Sequence, residues 1–479
     1  MASRNTVAKV LASVQGRCMC PAHSQAFNGA RYHRCTSSSS GDHGLKPKEY
    51  AVEMSSSSVI YGPGVTREVG HQMLRLRASK ELQEPPNIGL FTDGKLVSME
   101  MVRTALDSLE STCGKVHLFS DVRIEPNTES MQAAVDFARD HNLNGYVAVG
   151  GGSVIDTAKV ANLLSVARDA DIFDFVNQPM GKGQEPPPNL HPLIALPTTA
   201  GTGSETTGVA VFDYTAMNSK TGIGHKSLRP DLGMIDPHSV ATMPSRVTAW
   251  SGFDVLCHAL ESFTAIPYTE RPVGPTPSYI RPAYQGSNPI SDVWSLHALR
   301  MTAKYLRRAV ADPGDTEARS EMMLASMMAG VGFGNAGVHL CHGLSYPLAS
   351  LNKTYQAAEY PTDHPMLPHG LSVIMTAPAV FKYTASACPE RHLQAAEILG
   401  ADISNAKLSD AGDILAEELR KFMHDLGVPN GIREFGFSAS DAADLVQAAM
   451  PNKRVLMLAP HPLVEEHLAS IYENSVTVF

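Results

Sequence analysis

The chain has 479 residues, which is long enough for two domains and additional segments. Its content of 43% hydrophobic and 18% charged residues is ordinary for a globular protein. Its formal net charge of −9 argues against a general nucleic-acid-binding protein. No apolar run approaches the roughly 20 residues that a membrane-spanning helix needs. We therefore expect neither a nucleic-acid partner nor a transmembrane segment.

The first 45 residues differ in composition from the rest of the chain. Residues 1–41 contain five basic residues, many serines and no acidic residue, since the first one is Asp42. This composition is typical of an organellar transit peptide and lacks the apolar block of a secretory signal. A disordered tail is the alternative. We expect mitochondrial import and a folded region that begins near residue 46.

Short apolar runs alternate with amphipathic stretches from residue 59 to about residue 200. Strands that alternate with helices of ten or more residues predict βαβ units and a parallel sheet. Continuous apolar runs fit strands that are buried on both faces. We therefore predict an α/β domain over residues 46–236. The predicted strands are 88–91, 116–119, 146–149 and 193–196, and the predicted helices are 97–110, 129–141 and 153–166.

Glycines follow the strand at 146–149 and lead into a predicted helix. In Gly150-Gly151-Gly152-Ser153, the glycines let the backbone approach a pyrophosphate, and the helix N-terminus supplies free N–H donors. Ser153 has the position of an N-cap, with Asp156 three residues later. The spacing is not that of the G-x-G-x-x-G fingerprint, and a simple tight turn is the alternative interpretation.

Two further segments favour nucleotide binding. Residues 196–205 combine Thr198, Thr199 and Thr202 with two glycines and a serine, and such hydroxyls and bare amides suit phosphate and ribose oxygens. Asp93 lies just after an early strand, where a carboxylate accepts hydrogen bonds from a ribose diol and repels a 2′-phosphate. Asp93 would serve equally well as a turn residue.

The chain changes character after residue 236. Apolar positions recur at helical spacing, and strand signals are nearly absent before Ser475–Val478. Because an amphipathic helix buries its apolar face only against neighbours, we predict an all-helical bundle domain over residues 237–479. The predicted helices are 291–311, 317–332, 371–388, 391–400, 408–426 and 439–450.

Four side chains of this domain have the chemistry of a metal site. Asp254 and His258 lie four residues apart on a predicted helix and therefore share one face. His342 and His369 are each followed by glycine, which lets other backbone come close. One carboxylate and three imidazoles suit Fe(II) or Zn(II). The alternative for the Asp254–His258 pair alone is a surface ion pair.

Seven cysteines are present without any C-x-x-C pair, so we expect the four beyond the leader to be reduced. Two proline-rich segments, 266–290 and 351–368, interrupt the helices. We interpret each segment either as a solvated surface insertion or as a lid over the site.

Several motifs together resemble the iron-containing, group III, alcohol dehydrogenase family, and the similarity spans roughly residues 55–479. The resemblance implies a Rossmann-like dinucleotide-binding domain followed by an all-α domain, in the dehydroquinate synthase-like fold, with metal and nicotinamide in the cleft between them. The matching runs are 150–159, 197–205, 254–261, 342–348 and 368–370.

The resemblance assigns roles to individual residues. It implies that Asp254, His258, His342 and His369 bind the metal, as Fe(II) or Zn(II), and that Asp93 favours NAD over NADP. Lys220 resembles a lysine that lies near the nicotinamide ribose in members of the family. The implied cofactor-binding residues are Asp93, Gly151, Gly152, Ser153, Asp156, Thr198, Thr199, Thr202 and Lys220. Related enzymes are often dimers or larger, so a homo-oligomer is expected.

The chain departs from the family pattern at Tyr346, where many members have a second histidine. With the leader and both inserts, this residue makes the chain similar to a mitochondrial subgroup that passes a hydride from 4-hydroxybutyrate or 3-hydroxybutyrate to 2-oxoglutarate. That reaction implies NAD(H) that stays tightly bound through both half-reactions. Tyr346 either orients the substrate, relays a proton or simply packs.

A dicarboxylate substrate needs cations at the far end of its pocket, and Arg–carboxylate pairing supplies both energy and orientation. The candidates in the inserts are Arg271, Arg281 and Lys353, although each would serve equally as a solvated surface residue. Two other functions stay open. One is an NAD-dependent dehydrogenase of simple alcohols or aldehydes, and the other is a non-catalytic metal- and nucleotide-binding protein.

Overall fold

The structure, a computed structural model, describes most of the chain from residue 48 onward. The described residues are 48–217, 219–271, 281–352, 354–360, 362 and 365–479. The predicted leader and the candidate substrate residue Lys353 lie outside them.

A parallel sheet organises the first half of the described chain. Its strands are β1 (Ser58–Tyr61), β2 (Ile88–Phe91), β3 (Val116–Phe119), β4 (Gly145–Gly150), β5 (Leu193–Pro197) and β8 (Leu232–Ile235), whereas β6 (Val209–Tyr214) and β7 (Ser219–Gly224) form a separate antiparallel hairpin. Every residue of β2, β4, β5 and β8 is buried. Full burial is expected for continuous apolar strands covered on both faces, and the predicted parallel sheet is confirmed.

Helices cover both faces of this sheet. They are α1 (Val69–Ser79), α2 (Glu100–Cys113), α3 (Thr128–Asp140), α4 (Gly152–Val166) and the short α5 (Ile172–Phe175). Because successive strand residues point to opposite faces, Leu90 and Val147 pack in the apolar core with α1 and α2. Their neighbours Phe91 and Ala148 pack in the core on the other face, with α3 and α4.

The strand order locates a crevice at one edge of the sheet. The order is β1-β8-β5-β4-β2-β3, so β2 is followed in sequence by β3 on one side, while β4 lies on its other side. In open α/β sheets, ligands bind outside the carboxyl ends of strands at such a reversal. Asp93 follows β2 and Gly151 follows β4, and the topology therefore brings both predicted nucleotide segments to one crevice.

The second half of the chain is helical, which confirms the predicted fold class. Its helices are α6 (Ser245–Thr264), α7 (Pro289–Ala311), α8 (Thr316–Ala336), α9 (Leu340–Ser350), α10 (His369–Thr384), α11 (Pro389–Leu399), α12 (Ala411–Asp425), α13 (Ala442–Ala449), α14 (Lys453–Leu456) and α15 (Glu465–Asn474). The strand signal at Ser475–Val478 was misleading, because these residues form no strand. The Ser475 carbonyl oxygen instead accepts a long-range hydrogen bond from the Ile432 N–H, at 2.9 Å. None of the helices in the described ranges is both long and apolar enough to cross a membrane.

The threonine-rich segment after β5 packs directly on helix α8. Gly203 has a left-handed backbone, with φ of 57° and ψ of 19°. A Cβ atom at Gly203 would lie 2.6 Å from the Cα of Gly330 in α8. Only glycine combines this conformation with so close an approach, and the contact joins the α/β part of the chain to the helical part.

We predict that Gly203→Ala lowers the free energy of unfolding by about 2–4 kcal/mol, because a left-handed alanine costs about 1 kcal/mol and the overlap with Gly330 adds about 1–3 kcal/mol. Gly436→Ala is the matched control. Its backbone is also left-handed, at φ 87° and ψ 11°, but the nearest atom to its added Cβ is 3.9 Å away. Urea unfolding followed by circular dichroism measures both variants. Equal losses would contradict the role of the Gly203–Gly330 contact.

Candidate active site

Four predicted ligand side chains converge where α6, α9 and α10 meet. The Nε2 atoms of His342, His369 and His258 lie 3.3, 3.6 and 3.7 Å from the same oxygen, Oδ1 of Asp254. Asp254, His342 and His369 each present one ligand atom, and these three atoms lie within 4.8 Å of one another. His258 stands beside this group, stacked between the rings of Phe333 and His342 with centroids 3.9 and 4.5 Å away.

Polar atoms of this cluster are buried without hydrogen-bond partners. Among the described residues, Asp254 Oδ1, His342 Nε2 and His258 Nδ1 have none. A buried polar atom without a partner is costly, and a bound divalent cation would satisfy a carboxylate oxygen and an imidazole nitrogen together. The arrangement therefore fits a metal ion with nitrogen and oxygen ligands.

Short-range backbone contacts position two of the histidines. Gly370 follows His369 at the start of α10, and a Cβ there would overlap the Trp250 carbonyl oxygen on α6. A Cβ at Gly343, after His342, would overlap the Leu456 side chain. Glycine after each histidine thus allows the close approach expected from the sequence.

Glu261 supports the cluster, and the sequence analysis assigned it no role. One of its oxygens, Oε2, contacts His342 Nδ1, while Oε1 accepts hydrogen bonds from the backbone N–H groups of His339 and Cys341 at 3.0 and 2.7 Å. A carboxylate on the far nitrogen of a ligand histidine fixes its tautomer and orientation. The available signal was spacing, since Asp254, His258 and Glu261 lie four and then three residues apart on one helix face.

Opposite charges at close range shift the pKa values of the side chains in this cluster. Burial would raise the pKa of Glu261, but His342 and His339 lower it to about 2. Burial would likewise lower the pKa of His342, but Glu261 and Asp254 raise it to about 10. Burial lowers the pKa of His258 to about 3, so this imidazole is neutral and competent as a ligand. A metal ion would replace the proton that His342 holds between two carboxylates.

Two cavities adjoin the metal-ligand cluster. The larger, of about 390 Å³, is lined by the predicted nucleotide-binding residues Asp93, Gly151, Gly152, Ser153, Thr198, Thr199 and Thr202 and by two cluster members, Asp254 and His369. The smaller, of about 130 Å³, is lined by all four predicted metal ligands together with Asp156, Lys220 and Tyr346. We call the first the nucleotide cavity and the second the catalytic cavity.

The predicted capping roles of Ser153 and Asp156 are corrected by the structure. Helix α4 begins at Gly152 with Gly151 as its N-cap, so Ser153 lies inside the first turn. The hydroxyl of Ser153 accepts a hydrogen bond from the backbone N–H of Glu125 at 3.2 Å. Asp156 instead holds neighbouring segments together through Ser204 Oγ at 2.6 Å and the Val211 N–H at 3.0 Å. Both residues still line the catalytic cavity.

Asp93 lies in a turn at the wall of the nucleotide cavity. Its carboxylate accepts hydrogen bonds from the N–H groups of Lys95 and Leu96 at 2.9 and 3.0 Å, which makes it the turn residue considered above. It also lines the nucleotide cavity. The two interpretations from sequence are therefore compatible.

Lys220 enters the catalytic cavity between two carboxylates. Its ammonium contacts Glu125 Oε2 and lies 3.0 Å from Asp213 Oδ1. Burial would lower the pKa of Lys220, but Asp213 and Glu125 raise it above its ordinary value. Glu125, which sequence reasoning missed, has a left-handed φ of 56° and lines both cavities. A strained non-glycine backbone of this kind clusters at functional sites.

Tyr346 lies in the catalytic cavity, with its ring 6.5 Å from that of His369. Burial raises the pKa of Tyr346 well above its ordinary value, so the phenol keeps its proton at neutral pH. Part of the second insert lines the nucleotide cavity through Glu359, Tyr360 and Met366, which is the placement expected of a lid.

The structure places the two described arginine candidates away from both cavities. Arg281 donates a hydrogen bond to the Ala51 carbonyl oxygen at 3.3 Å and lies 3.5 Å from Glu49. The backbone carbonyl of Arg271 accepts from the Glu49 N–H at 3.0 Å. Neither lines a cavity beside the metal-ligand cluster, so their expected contact with a substrate carboxylate is not supported by their positions.

Comparisons with known proteins agree with this architecture. The model of the family "Iron-containing alcohol dehydrogenase" matches residues 56–237, and that of "Fe-containing alcohol dehydrogenase family, C-terminal" matches residues 279–476. A Xenopus tropicalis protein named "Hydroxyacid-oxoacid transhydrogenase, mitochondrial" is 50% identical over 479 residues, which covers 100% of both chains.

Solved structures share the fold. A 1,3-propanediol oxidoreductase superposes with a TM-score of 0.76 at 24% identity, covering 89% of this chain and 100% of its own. A sulfoacetaldehyde reductase from Bifidobacterium kashiwanohense, solved in complex with NAD+, has a TM-score of 0.69 at 25% identity. The second match covers 90% of this chain and 99% of the reductase.

We predict that Glu261→Gln weakens the binding of a divalent metal about 10- to 100-fold, because the amide no longer holds His342 in its ligand orientation with a negative charge. Competition between the metal-depleted protein and a chromogenic chelator for Zn²⁺ or Fe²⁺ measures the affinity. A variant with unchanged affinity would contradict the supporting role of Glu261.

Glu205→Gln is the matched control for this measurement. Glu205 is fully buried like Glu261, but it lines neither cavity. Burial raises the pKa of Glu205 to about 7, so much of this side chain is protonated near neutral pH and a neutral amide resembles that form. We expect the metal affinity of this control to stay within about twofold of the parent protein.

Proposed function

The chain belongs to the iron-containing alcohol dehydrogenase family, and we propose that it is a hydroxyacid-oxoacid transhydrogenase. The proposed reaction passes a hydride from 4-hydroxybutyrate or 3-hydroxybutyrate to 2-oxoglutarate and yields 2-hydroxyglutarate. The observation that carries the proposal is the position of Asp254, with three histidine nitrogens around its Oδ1 atom, beside a dinucleotide-type cavity. The 50% full-length identity to a transhydrogenase supports the choice of reaction within the family.

The proposed cofactors are a divalent metal, Fe(II) by family and with Zn(II) equally compatible with the ligands, and NAD(H). Asp254, His258, His342 and His369 would hold the metal. When bound, such an ion lowers the pKa of a hydroxyl and polarises a carbonyl. The nicotinamide nucleotide would lie along the nucleotide cavity, where a Cβ on Gly152 would come within 2.7 Å of Thr202.

The protein's own residues would orient the substrate and manage protons. Tyr346 keeps its hydroxyl proton in the catalytic cavity and would donate a hydrogen bond to a substrate oxygen. Lys220 stays charged because two carboxylates surround it, so it would hold Glu125 in place at the wall of the catalytic cavity. Phe333 and Val338 form an apolar wall that excludes water.

A transhydrogenase cycle requires the nucleotide to remain bound between the two half-reactions. Tyr360 and Met366 of the second insert line the nucleotide cavity, and their position supports retention of the nucleotide. We further propose that residues 1–45 direct the chain to mitochondria. The composition of that segment and the mitochondrial designation of the Xenopus tropicalis relative support this location.

We predict that the purified protein converts 4-hydroxybutyrate and 2-oxoglutarate into 2-hydroxyglutarate without added nucleotide. The initial rates should follow ping-pong kinetics, since one tightly bound nucleotide serves both substrates in turn. Chromatographic quantification of 2-hydroxyglutarate measures the product, and denaturation of the protein should release nicotinamide nucleotide. A His369→Ala variant, which loses a cluster ligand, should form at least about 100-fold less product.

A different result would identify the alternative function. Product formation that depends on added NAD+ in every turnover, with a sequential kinetic pattern, would reject the transhydrogenase and indicate an NAD-dependent dehydrogenase. A protein that binds metal and nucleotide but turns over no alcohol would indicate the non-catalytic alternative.

A further inference from the structure

A small polar cavity lies behind the catalytic cavity. Its lining includes Asn177, Val211, Tyr346, Asn452 and Arg454. Tyr346 and Val211 also line the catalytic cavity. The side chains of Tyr346 and Val211 therefore lie between the two spaces.

Three polar atoms in this cavity lack hydrogen-bond partners among the described residues. They are Arg454 Nη1, Asn452 Nδ2 and Asn177 Oδ1, and each is buried. Gly224 on β7 keeps the corner open, because a Cβ there would lie 2.8 Å from Arg454 Nη1 and 3.3 Å from Asn177 Oδ1. Unsatisfied buried donors are costly in a folded protein unless a ligand uses them.

The charge of this cavity selects for an anion. No carboxylate of a described residue forms an ion pair with Arg454, and no aspartate or glutamate lines the cavity. The Arg454 guanidinium lies 4.7 Å from the centroid of the Tyr284 ring, and Tyr284 lines the catalytic cavity. By contrast, Lys220 already has two carboxylate partners. Arg454 also forms a hydrogen bond with the Tyr284 side chain, but its buried Nη1 has no partner among the described residues and is available to a ligand that reaches it past Tyr346.

We propose that Arg454, with Asn452 and Tyr346, binds the distal carboxylate of the substrates. This inference rests on the proposed transhydrogenase function and names the residues that select its substrates. Arginine suits the task because its planar fork matches a carboxylate. Arg454 thus replaces Arg271 and Arg281 as the candidate partner of the substrate carboxylate.

The two substrates of the proposed cycle share the feature that this subsite recognises. In 4-hydroxybutyrate the carbon that is oxidised is separated from the carboxylate carbon by two methylene groups. In 2-oxoglutarate the carbon that is reduced is separated from the distal carboxylate carbon by the same two groups. With 4-hydroxybutyrate as the donor, one cation at a fixed distance from the reacting carbon therefore serves both half-reactions, and the donor and the acceptor occupy the same position in turn.

The test compares substrates that differ only in this carboxylate. We expect Arg454→Met to raise the KM for 2-oxoglutarate and for 4-hydroxybutyrate at least about tenfold. The KM for 2-oxopentanoate, which has a methyl group in place of the distal carboxylate, should change less than about twofold. Equal effects on 2-oxoglutarate and 2-oxopentanoate would overturn the inference.

Two further variants separate charge from folding. Arg454→Lys keeps the charge and should recover part of the affinity for 2-oxoglutarate. Arg281→Met removes an arginine that lies away from both cavities, and its KM values should match those of the parent protein. If both the lysine and the methionine variant were impaired to the same extent, and with 2-oxopentanoate as much as with 2-oxoglutarate, Arg454 would have a packing role and the inference would be overturned.

A binding measurement distinguishes failure of this subsite from failure of the proposed function. Glutarate, a non-reacting dicarboxylate, should raise the thermal denaturation midpoint of the parent protein and not that of Arg454→Met, whereas pentanoate should raise neither. This result supports the subsite whether or not 2-hydroxyglutarate forms. A parent protein that makes 2-hydroxyglutarate but is stabilised equally by glutarate and pentanoate retains the proposed function and loses the subsite.

Discussion

A single buried carboxylate oxygen, Asp254 Oδ1, faces three imidazole nitrogens, and the site depends on this contact. A charge in such a position persists only when it is paired, and the imidazoles lower the pKa of Asp254 far enough, against the effect of burial, to keep it ionised. Glu261 supplies a second carboxylate, which contacts the other nitrogen of His342. Three backbone N–H groups donate hydrogen bonds to that carboxylate. The cluster is thus held rigidly from its protein side and offers its unsatisfied atoms to a cation.

Glycine contacts connect this cluster to the rest of the fold. Gly370 brings the start of α10 against α6, and Gly203 brings the threonine-rich segment against α8. The first contact places His369 beside Asp254, and the second places the nucleotide cavity beside both. The reversal of strand order between β2 and β4 then directs Asp93 and Gly151 toward the same crevice. Backbone approach, rather than side-chain attraction, sets the distance between the metal ligands and the nucleotide segments.

Local sequence patterns predicted most of the fold, because the burial of a strand and the amphipathicity of a helix depend on residues that are close together in sequence. The four apolar runs and the nine helical segments of the sequence analysis correspond to observed elements. The chemistry of Asp254, His258, His342 and His369 indicated a metal site, and the resemblance to the family then implied the same four ligands. Long-range partners escaped prediction. Arg281 pairs with Glu49, 232 residues away, and Glu261 with His342, 81 residues away. Ser153 was misassigned as an N-cap because α4 begins one residue earlier than its pattern indicated.

A cationic side chain whose donors already have partners within the protein has a structural role, whereas one with an unpaired donor can bind a substrate. Lys220 is surrounded by carboxylates, and Arg229 directs its donors to the carbonyl oxygens of Thr206 and Gly334 at 3.3 and 2.9 Å. Their hydrogen bonds are used within the protein, so a substrate anion would have to displace existing partners. Arg454 has a buried donor without a described partner beside the wall of the catalytic cavity. An incoming carboxylate gains a charge-assisted hydrogen bond at this donor without breaking an existing one. For this reason we assign selectivity for the substrate carboxylate to Arg454, next to Tyr346, rather than to the arginines of the inserts.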